Sequence, residues 1–294
     1  MANELKFTRG AVVVTGTSTG IGAACALHLD RLGFRIFAGV RKEKDGETLI
    51  QKTSGRITPL LIDVTDEAST TAAADIVAKA VGDVGLFGLV NNAGIVVGGP
   101  LEFLPLSEIR KQFEVNVFGQ IAVIQAFLPL LRESRGRIVN MGSIAGRIAF
   151  PFIGPYSASK FAFEAITDAL RVELMPWGIS VSIIEPGDVA TPIWRKSFAA
   201  AEKRAQNFPP QAVDLYGSSL KAVRIAAGKA AAAGIDPDIV ARAVAHALTA
   251  RNPKTRYPVG HDVRLRALLK NVLPDRLFDQ LVIRNIRLSK KSVA

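Results

Sequence analysis

The chain has 294 residues, is 49% hydrophobic and carries a net charge of +11. That length can bury one large core, so a single α/β domain with appendages fits better than two domains. Its one cysteine, Cys25, excludes an internal disulfide, and no apolar run in the sequence approaches the ~18 residues of a membrane helix.

The residues Met1 to Phe7 contain no apolar segment of the signal-peptide kind, and a lone cysteine suits a reducing compartment. A cytoplasmic protein is therefore expected. Cys25 falls in an Ala/Leu-rich stretch and reads as a small core residue rather than a nucleophile. The basic excess suits nucleic acid, anionic lipid or a phosphorylated ligand. There is no zinc spacing, RNA-binding signature or recognition-helix pattern, so neither a metal nor a nucleic-acid partner is expected. A solvated basic surface is the simpler reading.

In chain order, Ala11 to Thr15 is a β-branched run that predicts a buried strand. It leads into Gly16, Thr17, Ser18, Gly20, Ile21 and Gly22, and then into a helix from Ala23 to Arg31. A strand, a glycine turn and a helix N-terminus form a diphosphate site, because free amides and the helix dipole favour negative charge. The second strand spans Gly33 to Val40. Where an NAD enzyme carries a carboxylate for the ribose hydroxyls, this chain has Arg41 and Lys42. A guanidinium suits a 2′-phosphate, so NADP(H) is favoured over NAD(H), with Glu43 as the route back to NAD(H).

A third strand, Ile57 to Val64, ends in Asp63, a carboxylate within reach of an adenine amine, with Val64 beside it. Asp66 is the expected N-cap of a helix to Ala80. A fourth strand from Leu86 to Val90 ends in Asn91, Asn92, Ala93 and Gly94, small residues and amides that suit close contact with a sugar. A long helix from Ser107 to Arg132 carries Asn116 at its centre, as either a satisfied core amide or an organiser of water. The fifth strand, Arg137 to Gly142, ends at Ser143. Tyr156 and Lys160 follow one turn apart at the start of the next helix.

An unperturbed tyrosine titrates near ~10, too high for a useful base at neutral pH. Lowering that by roughly 3 units requires about 4 kcal/mol, which one ammonium at about 4 Å supplies at an effective dielectric of 20. Lys160 is thus expected to make Tyr156 a working acid or base, while the Ser143 hydroxyl hydrogen-bonds the reacting oxygen. The sixth strand, Ile179 to Ile184, closes in a loop through Glu185, Pro186, Gly187, Val189 and Thr191 that would cover a bound cofactor.

Six alternations of strand and helix predict a single Rossmann-like, doubly wound parallel sheet, with a short seventh strand at Arg256 to Val259. Residues 1–260 form the catalytic domain in this reading. From 192 to 234 the regularity fails, which predicts a mobile lid over an apolar pocket. Asp236 and Pro237 open a helix to about Ala250. Residues 261–294 form a basic extension of two amphipathic helices, which either packs on protein or lies on an anionic membrane. It holds eight Lys/Arg against three Asp.

Taken together, these motifs resemble the short-chain dehydrogenase/reductase family over roughly residues 8–192. The residues that carry the resemblance are the Gly16, Gly20 and Gly22 turn, Asn91 to Gly94, Ser143 thirteen residues before Tyr156, and Pro186-Gly187 with Thr191. The resemblance implies a catalytic tetrad of Asn116, Ser143, Tyr156 and Lys160. In it Tyr156 passes the proton, Ser143 polarises the oxygen, Lys160 lowers the tyrosine's pKa and binds ribose, and Asn116 holds the water of a proton relay. Arg41 fits the family's NADP(H) marker, and the Val40-Arg41 junction with the basic tail resembles the branch acting on steroids and retinoids.

The leading expectation is a homodimeric or homotetrameric oxidoreductase for a small hydrophobic alcohol or carbonyl. Its pocket is expected to involve Ile95, Val96, Ile144, Phe150, Phe152 and Trp194. The alternative is a regulator that binds NADP(H) without turnover.

Overall fold

The computed structural model describes residues 9–51 and 53–286. The expectations for Met1 to Phe7 and for residues 287–294 lie outside the described residues. Seven strands form one parallel sheet: β1 (Arg9–Val14), β2 (Phe34–Val40), β3 (Ile57–Leu61), β4 (Gly88–Asn91), β5 (Arg137–Met141), β6 (Ser180–Pro186) and β7 (Arg256–Val259). Their order is β3-β2-β1-β4-β5-β6-β7, and every pairing is parallel. Strands covered on both faces should read as continuous apolar runs. Val12, Val13 and Val14 of β1 are all fully buried.

Among the described residues, eleven α-helices flank the sheet or extend beyond it. Those before residue 192 are α1 (Gly20–Arg31), α2 (Glu43–Ile50), α3 (Glu67–Val81), α4 (Leu106–Phe113), α5 (Gly119–Ser134) and α6 (Gly154–Glu173). After it come α7 (Ile193–Ala205), α8 (Pro210–Ala232), α9 (Pro237–Thr249), α10 (Val263–Val272) and α11 (Asp275–Ile286). The core divides between the two faces. On one, Cys25, Ala26 and Leu29 of α1 pack with Val240, Val244 and Leu248 of α9. On the other, Val77 of α3 packs with Val123, Phe127 and Leu131 of α5. Asp66 and Asp236 cap α3 and α9 as their sequence positions imply, accepting from the amides of Ala68, Ser69 and Asp238.

Three expectations change. The long helix is broken at its middle by a π-turn, Glu114–Phe118, which holds Asn116; such turns occur where a helix must re-aim its side chains. The span Leu106–Ser134 is also long and apolar enough in composition to cross a membrane, contrary to the reading of the linear sequence, yet its apolar face forms the core described above. The segment 192–234, expected to be irregular, is largely helical: α7 and α8 fill it. Its aromatics are spaced too widely for a periodic stripe, because only part of each helix meets protein.

The strand order reverses between β1 and β4, opening a crevice at the carboxyl ends of the strands. Gly16 and Gly20 adopt left-handed φ of 69° and 64° in the turn beside it. Gly22 is required by proximity rather than by φ. A Cβ there would stand 2.3 Å from the Gly16 carbonyl oxygen and 2.5 Å from Asn92 Nδ2. Gly22→Ala is therefore expected to strain the turn and lower stability by about 1–3 kcal/mol, as read by chemical denaturation.

Candidate active site

Gly154 and Pro155 start α6, and proline at the second helical position removes an amide that would lack an intrahelical partner. Tyr156 thus lies in the first turn and Lys160 one turn on, beside β5. Lys160 is 6% exposed, and its Nζ donates to the Met141 carbonyl at 2.6 Å. The ammonium stands 5.9 Å from the centre of the Tyr156 ring. Ser143 follows β5 and caps the 3-10 turn Ile144–Gly146, its Oγ accepting from the Ala145 amide at 3.1 Å. The same hydroxyl hydrogen-bonds the Tyr156 phenol.

The electrostatics differ from the sequence expectation. Burial raises the Tyr156 pKa, and the bond to Ser143 only partly opposes it. Burial also brings Lys160 down to about 8, opposed by the negative charge of Glu164. The phenol therefore keeps its proton at neutral pH. The positive charge beside it is directed at a main-chain carbonyl rather than at the hydroxyl, so the lowering of the tyrosine pKa argued from spacing alone is absent in this arrangement.

Asn116 resolves toward the satisfied core amide. Its Oδ1 accepts from Ile95 N at 2.9 Å, and its Nδ2 donates to Ile95 O at 3.0 Å and to Ser159 Oγ at 3.3 Å. Ser159 in turn donates to Tyr156 O at 2.7 Å, so the amide ties the loop after β4 to α6. Gln112 and Gln120 share the task. Gln112 holds Val97 N and Ile95 O, and Gln120 donates to Ala93 O at 2.6 Å. Sequence reasoning singled out only Asn116, although the three amides recur every four residues through an apolar helix.

The glycine turn is held from behind. Asn92 Nδ2 donates to the carbonyls of Thr15 and Gly16, at 2.9 and 3.3 Å. Asn91, the residue chosen from sequence, points the other way and donates to Gln120 O. Alternation along the end of a strand decides which of two adjacent amides faces the turn, and the last paired residue was not legible in advance. Thr17 is also turned inward: its hydroxyl and amide both donate to Gly39 O.

Two observations fit a dinucleotide at this turn. Thr19, the N-cap of α1, makes no side-chain capping bond, so the first amides of α1 are free of side-chain partners beside the turn that carries Ser18 and Ile21. A Cβ on Gly20 would stand 3.3 Å from Thr191, so the glycine turn and the loop after β6 face each other across one space. Lys196 of α7, which sequence reasoning passed over, reaches Thr19 Oγ1 at 3.3 Å. Arg41 and Lys42 are exposed at the end of β2. The Thr65 amide and hydroxyl, with Arg41 nearby, hold the Asp63 carboxyl below its usual range. Val64 is buried, and Ala93, whose carbonyl accepts from Gln120, lies with Gly94 on the loop after β4. Gly187 donates to Val259 O, and Val189 bridges to Ile235, fixing the loop from Pro186 to Thr191.

Ser143 and Tyr156 open onto a cavity of ≈ 850 Å³ whose walls include Ile144, Phe150, Phe152, Trp194 and Phe208. Ile95 and Val96, expected there, do not line it. Their main chains are occupied by the helix amides and by Ser197, and Gly98, Gly99 and Pro100 form that wall instead. Phe152 has φ of 64°, a conformation unfavourable for a bulky residue, and its carbonyl accepts from Gly99 N at 2.8 Å.

A family profile described as short chain dehydrogenase matches residues 10–202. Among curated relatives, retinol dehydrogenase 5 of Mus musculus is 38% identical over 277 residues, covering 92% of this chain and 87% of its own. An NADPH-dependent 3-dehydrocapnine reductase of Ornithobacterium rhinotracheale is 35% identical, covering 94% and 96%. The 17-beta-hydroxysteroid dehydrogenase type 6 of Bos taurus is 37% identical, covering 93% and 88%. Two solved short-chain dehydrogenases superpose closely. One, from Burkholderia cenocepacia in complex with NADP, has a TM-score of 0.70 and 27% identity and covers 92% of this chain and 96% of its own. The other, from Burkholderia phymatum in complex with NAD, has a TM-score of 0.75 and 26% identity and covers 91% and 96%. The chain belongs to the short-chain dehydrogenase/reductase family, in the branch of the steroid and retinol dehydrogenases, and is an oxidoreductase.

Proposed function

We propose that this enzyme is NADP(H)-dependent and interconverts a hydrophobic primary or secondary alcohol, steroid-, retinoid- or lipid-like, with its aldehyde or ketone. The observation that carries this reading is the opening of Ser143 and Tyr156 onto a large cavity walled by aromatic and aliphatic side chains. A hydroxyl-rich substrate would leave its polar groups unpaired against Phe150, Phe152 and Trp194. The printed activities of the retinol, steroid and NADPH-dependent relatives support the same class.

When bound, the nicotinamide supplies or accepts the hydride. In reduction, the protonated Tyr156 donates its hydroxyl proton to the substrate oxygen, and Ser143 donates a hydrogen bond to that oxygen. With its ammonium 5.9 Å from the ring centre, Lys160 acts on the phenolate that remains only at a distance. The raised tyrosine pKa suits the donating role at neutral pH. The residues proposed to hold the cofactor are the turn from Gly16 to Gly22, Asp63 and Val64, Ala93 and Gly94, and the loop from Pro186 to Thr191. Arg41 with Lys42 would take the 2′-phosphate. The retained Ser143, Tyr156 and Lys160 argue against a regulator without turnover. Exposed Phe118 and Phe161, on adjoining helical segments, support self-association as a homodimer or homotetramer.

A second reading concerns location. Leu265, Leu268 and Val272 of α10 and Leu277 and Leu281 of α11 are exposed, interleaved with Arg264, Arg276 and Arg284. Ile286 of α11 lines the cavity, so this face borders the substrate site. Peripheral contact with an anionic membrane would bring an apolar substrate to its entrance.

Tyr156→Phe is expected to lower turnover of an apolar ketone by about 10²- to 10⁴-fold while NADPH binding by fluorescence is retained. Unchanged turnover would end the catalytic reading. Arg41→Ala is expected to weaken NADPH roughly tenfold and leave NADH unaffected. Wild-type protein is expected to co-sediment with vesicles containing phosphatidylserine but not with phosphatidylcholine alone, and Leu268→Glu should abolish this. Equal recovery with both vesicle types would refute membrane contact.

A further inference from the structure

One turn of α6 beyond Lys160 lies Glu164, 6% exposed and surrounded by charge from several elements. Arg256 of β7 places its Nε 3.2 Å from Glu164 Oε2 and 3.4 Å from Glu185 Oε1 of β6. Glu185 Oε1 also lies 3.2 Å from Arg147, the residue after the Ser143-capped turn. Arg256 Nη2 reaches Asp168 of α6 at 2.5 Å, and Asp168 pairs in turn with Arg171. The groups facing Glu164 are therefore Lys160 and Asp168 on its own helix, Glu185 and Arg256 from two strands, and Arg147 from the turn.

Two further features mark this carboxylate. Its Oε1 is buried with no hydrogen-bond partner among the described residues. Opposite it stands Gly146, where a Cβ would meet the Lys160 carbonyl oxygen at 3.0 Å and Glu164 Cγ at 3.1 Å. Glycine there lets the acidic side chain lie directly against the turn that carries Ser143. A buried ionic cluster is weak as a source of stability, because desolvation offsets the attraction. Its position one helix turn from Lys160 and against the turn that Ser143 caps points to another use.

We propose that Glu164 is a positioning residue for the reaction: its carboxylate keeps the buried Lys160 ammonium protonated, and Glu185 governs how far that carboxylate is ionised. This rests on the reading of Tyr156 and Lys160 as the proton-handling pair. Burial, then the charge of Glu185, pushes Glu164 up to about 7, against the pull of Arg256 and Arg147. Burial brings Lys160 down to about 8, and Glu164 holds it from falling further. The two shifts thus bring the groups toward each other.

The sign of the coupling sets the test. Lys160 is charged below its midpoint, so reduction is lost as pH rises through it. Removing the carboxylate should move that loss to lower pH. In unliganded protein carrying ¹³C-lysine, with the Lys160 signal assigned through Lys160→Arg, the wild type should show a main inflection and a smaller acid-side one from Glu164. Glu164→Gln should lower the main midpoint by roughly one pH unit and erase the smaller inflection. Glu164→Asp should restore both, and Glu185→Gln should move the smaller inflection to lower pH. The alkaline limb of ketone reduction should follow the Lys160 midpoint in each variant.

A folded Glu164→Gln protein with the wild-type midpoint and limb overturns the proposal. If that variant does not fold, an unmoved acid-side inflection in Glu185→Gln does so instead. Because the titration requires no turnover, it is separable from the catalytic reading. Wild-type turnover by Tyr156→Phe would remove that reading whatever the lysine signal does.

Discussion

A buried ammonium is the constraint to which the centre of this structure answers. Taking a lysine charge out of water costs several kcal/mol unless neighbouring groups compensate. Lys160 receives that compensation from the Met141 carbonyl at the end of β5 and from the negative charge of Glu164 one helix turn on. Both partners require α6 to lie along β5 at a set height, which places Tyr156 beside Ser143. Parallel pairing of β5 with β4 and β6 holds that strand from both sides. The sheet and the residues Ser143, Tyr156 and Lys160 are therefore one mechanical unit rather than a scaffold with a site attached.

The loop after β4 is rigid for a different reason. Segments of irregular backbone leave amides and carbonyls without ladder partners, and buried ones must be satisfied. Here Gln112, Asn116 and Gln120 satisfy Ala93, Ile95 and Val97 from one helical span, and the π-turn at Glu114–Phe118 falls among them. Asn116 also bonds Ser159, which bonds the Tyr156 carbonyl. The loop after β4 and α6 are thus joined through two side chains, Asn116 and Ser159. Asn116 meets main chain on the loop side and the Ser159 hydroxyl on the α6 side.

The substrate end is built on other terms. α7 and α8 are held by a small number of polar ties: Ser197 to the Val96 carbonyl, Arg204 to Glu108 and to the Gly98 carbonyl, and Tyr216 to Glu102. Ala212 is the one fully buried residue of α8. Helices covering a cavity rather than a core leave their apolar faces partly open, and this is the source of the walls around Ser143 and Tyr156. Lys196 links the same region to the glycine turn through Thr19, so the cover of the cavity and the N-terminus of α1 meet at one contact.

Much of this was readable in the linear chain. The β-branched runs, the Gly16 to Gly22 turn, the caps at Asp66 and Asp236 and the Tyr156–Lys160 spacing are local signals, each set by residues within a few positions of one another. They determined the parallel α/β architecture, the placement of the crevice and the residues at its centre. Tertiary structure alone decided that Asn92 rather than Asn91 holds the glycine turn, that 192–234 is helical, that Ile95 and Val96 stand behind the cavity wall, and that burial leaves the Tyr156 proton in place. It also brought Glu164, Glu185, Arg147 and Arg256 together from separate elements. These outcomes depend on desolvation and on contacts between residues distant in sequence, and neither quantity is carried by local spacing.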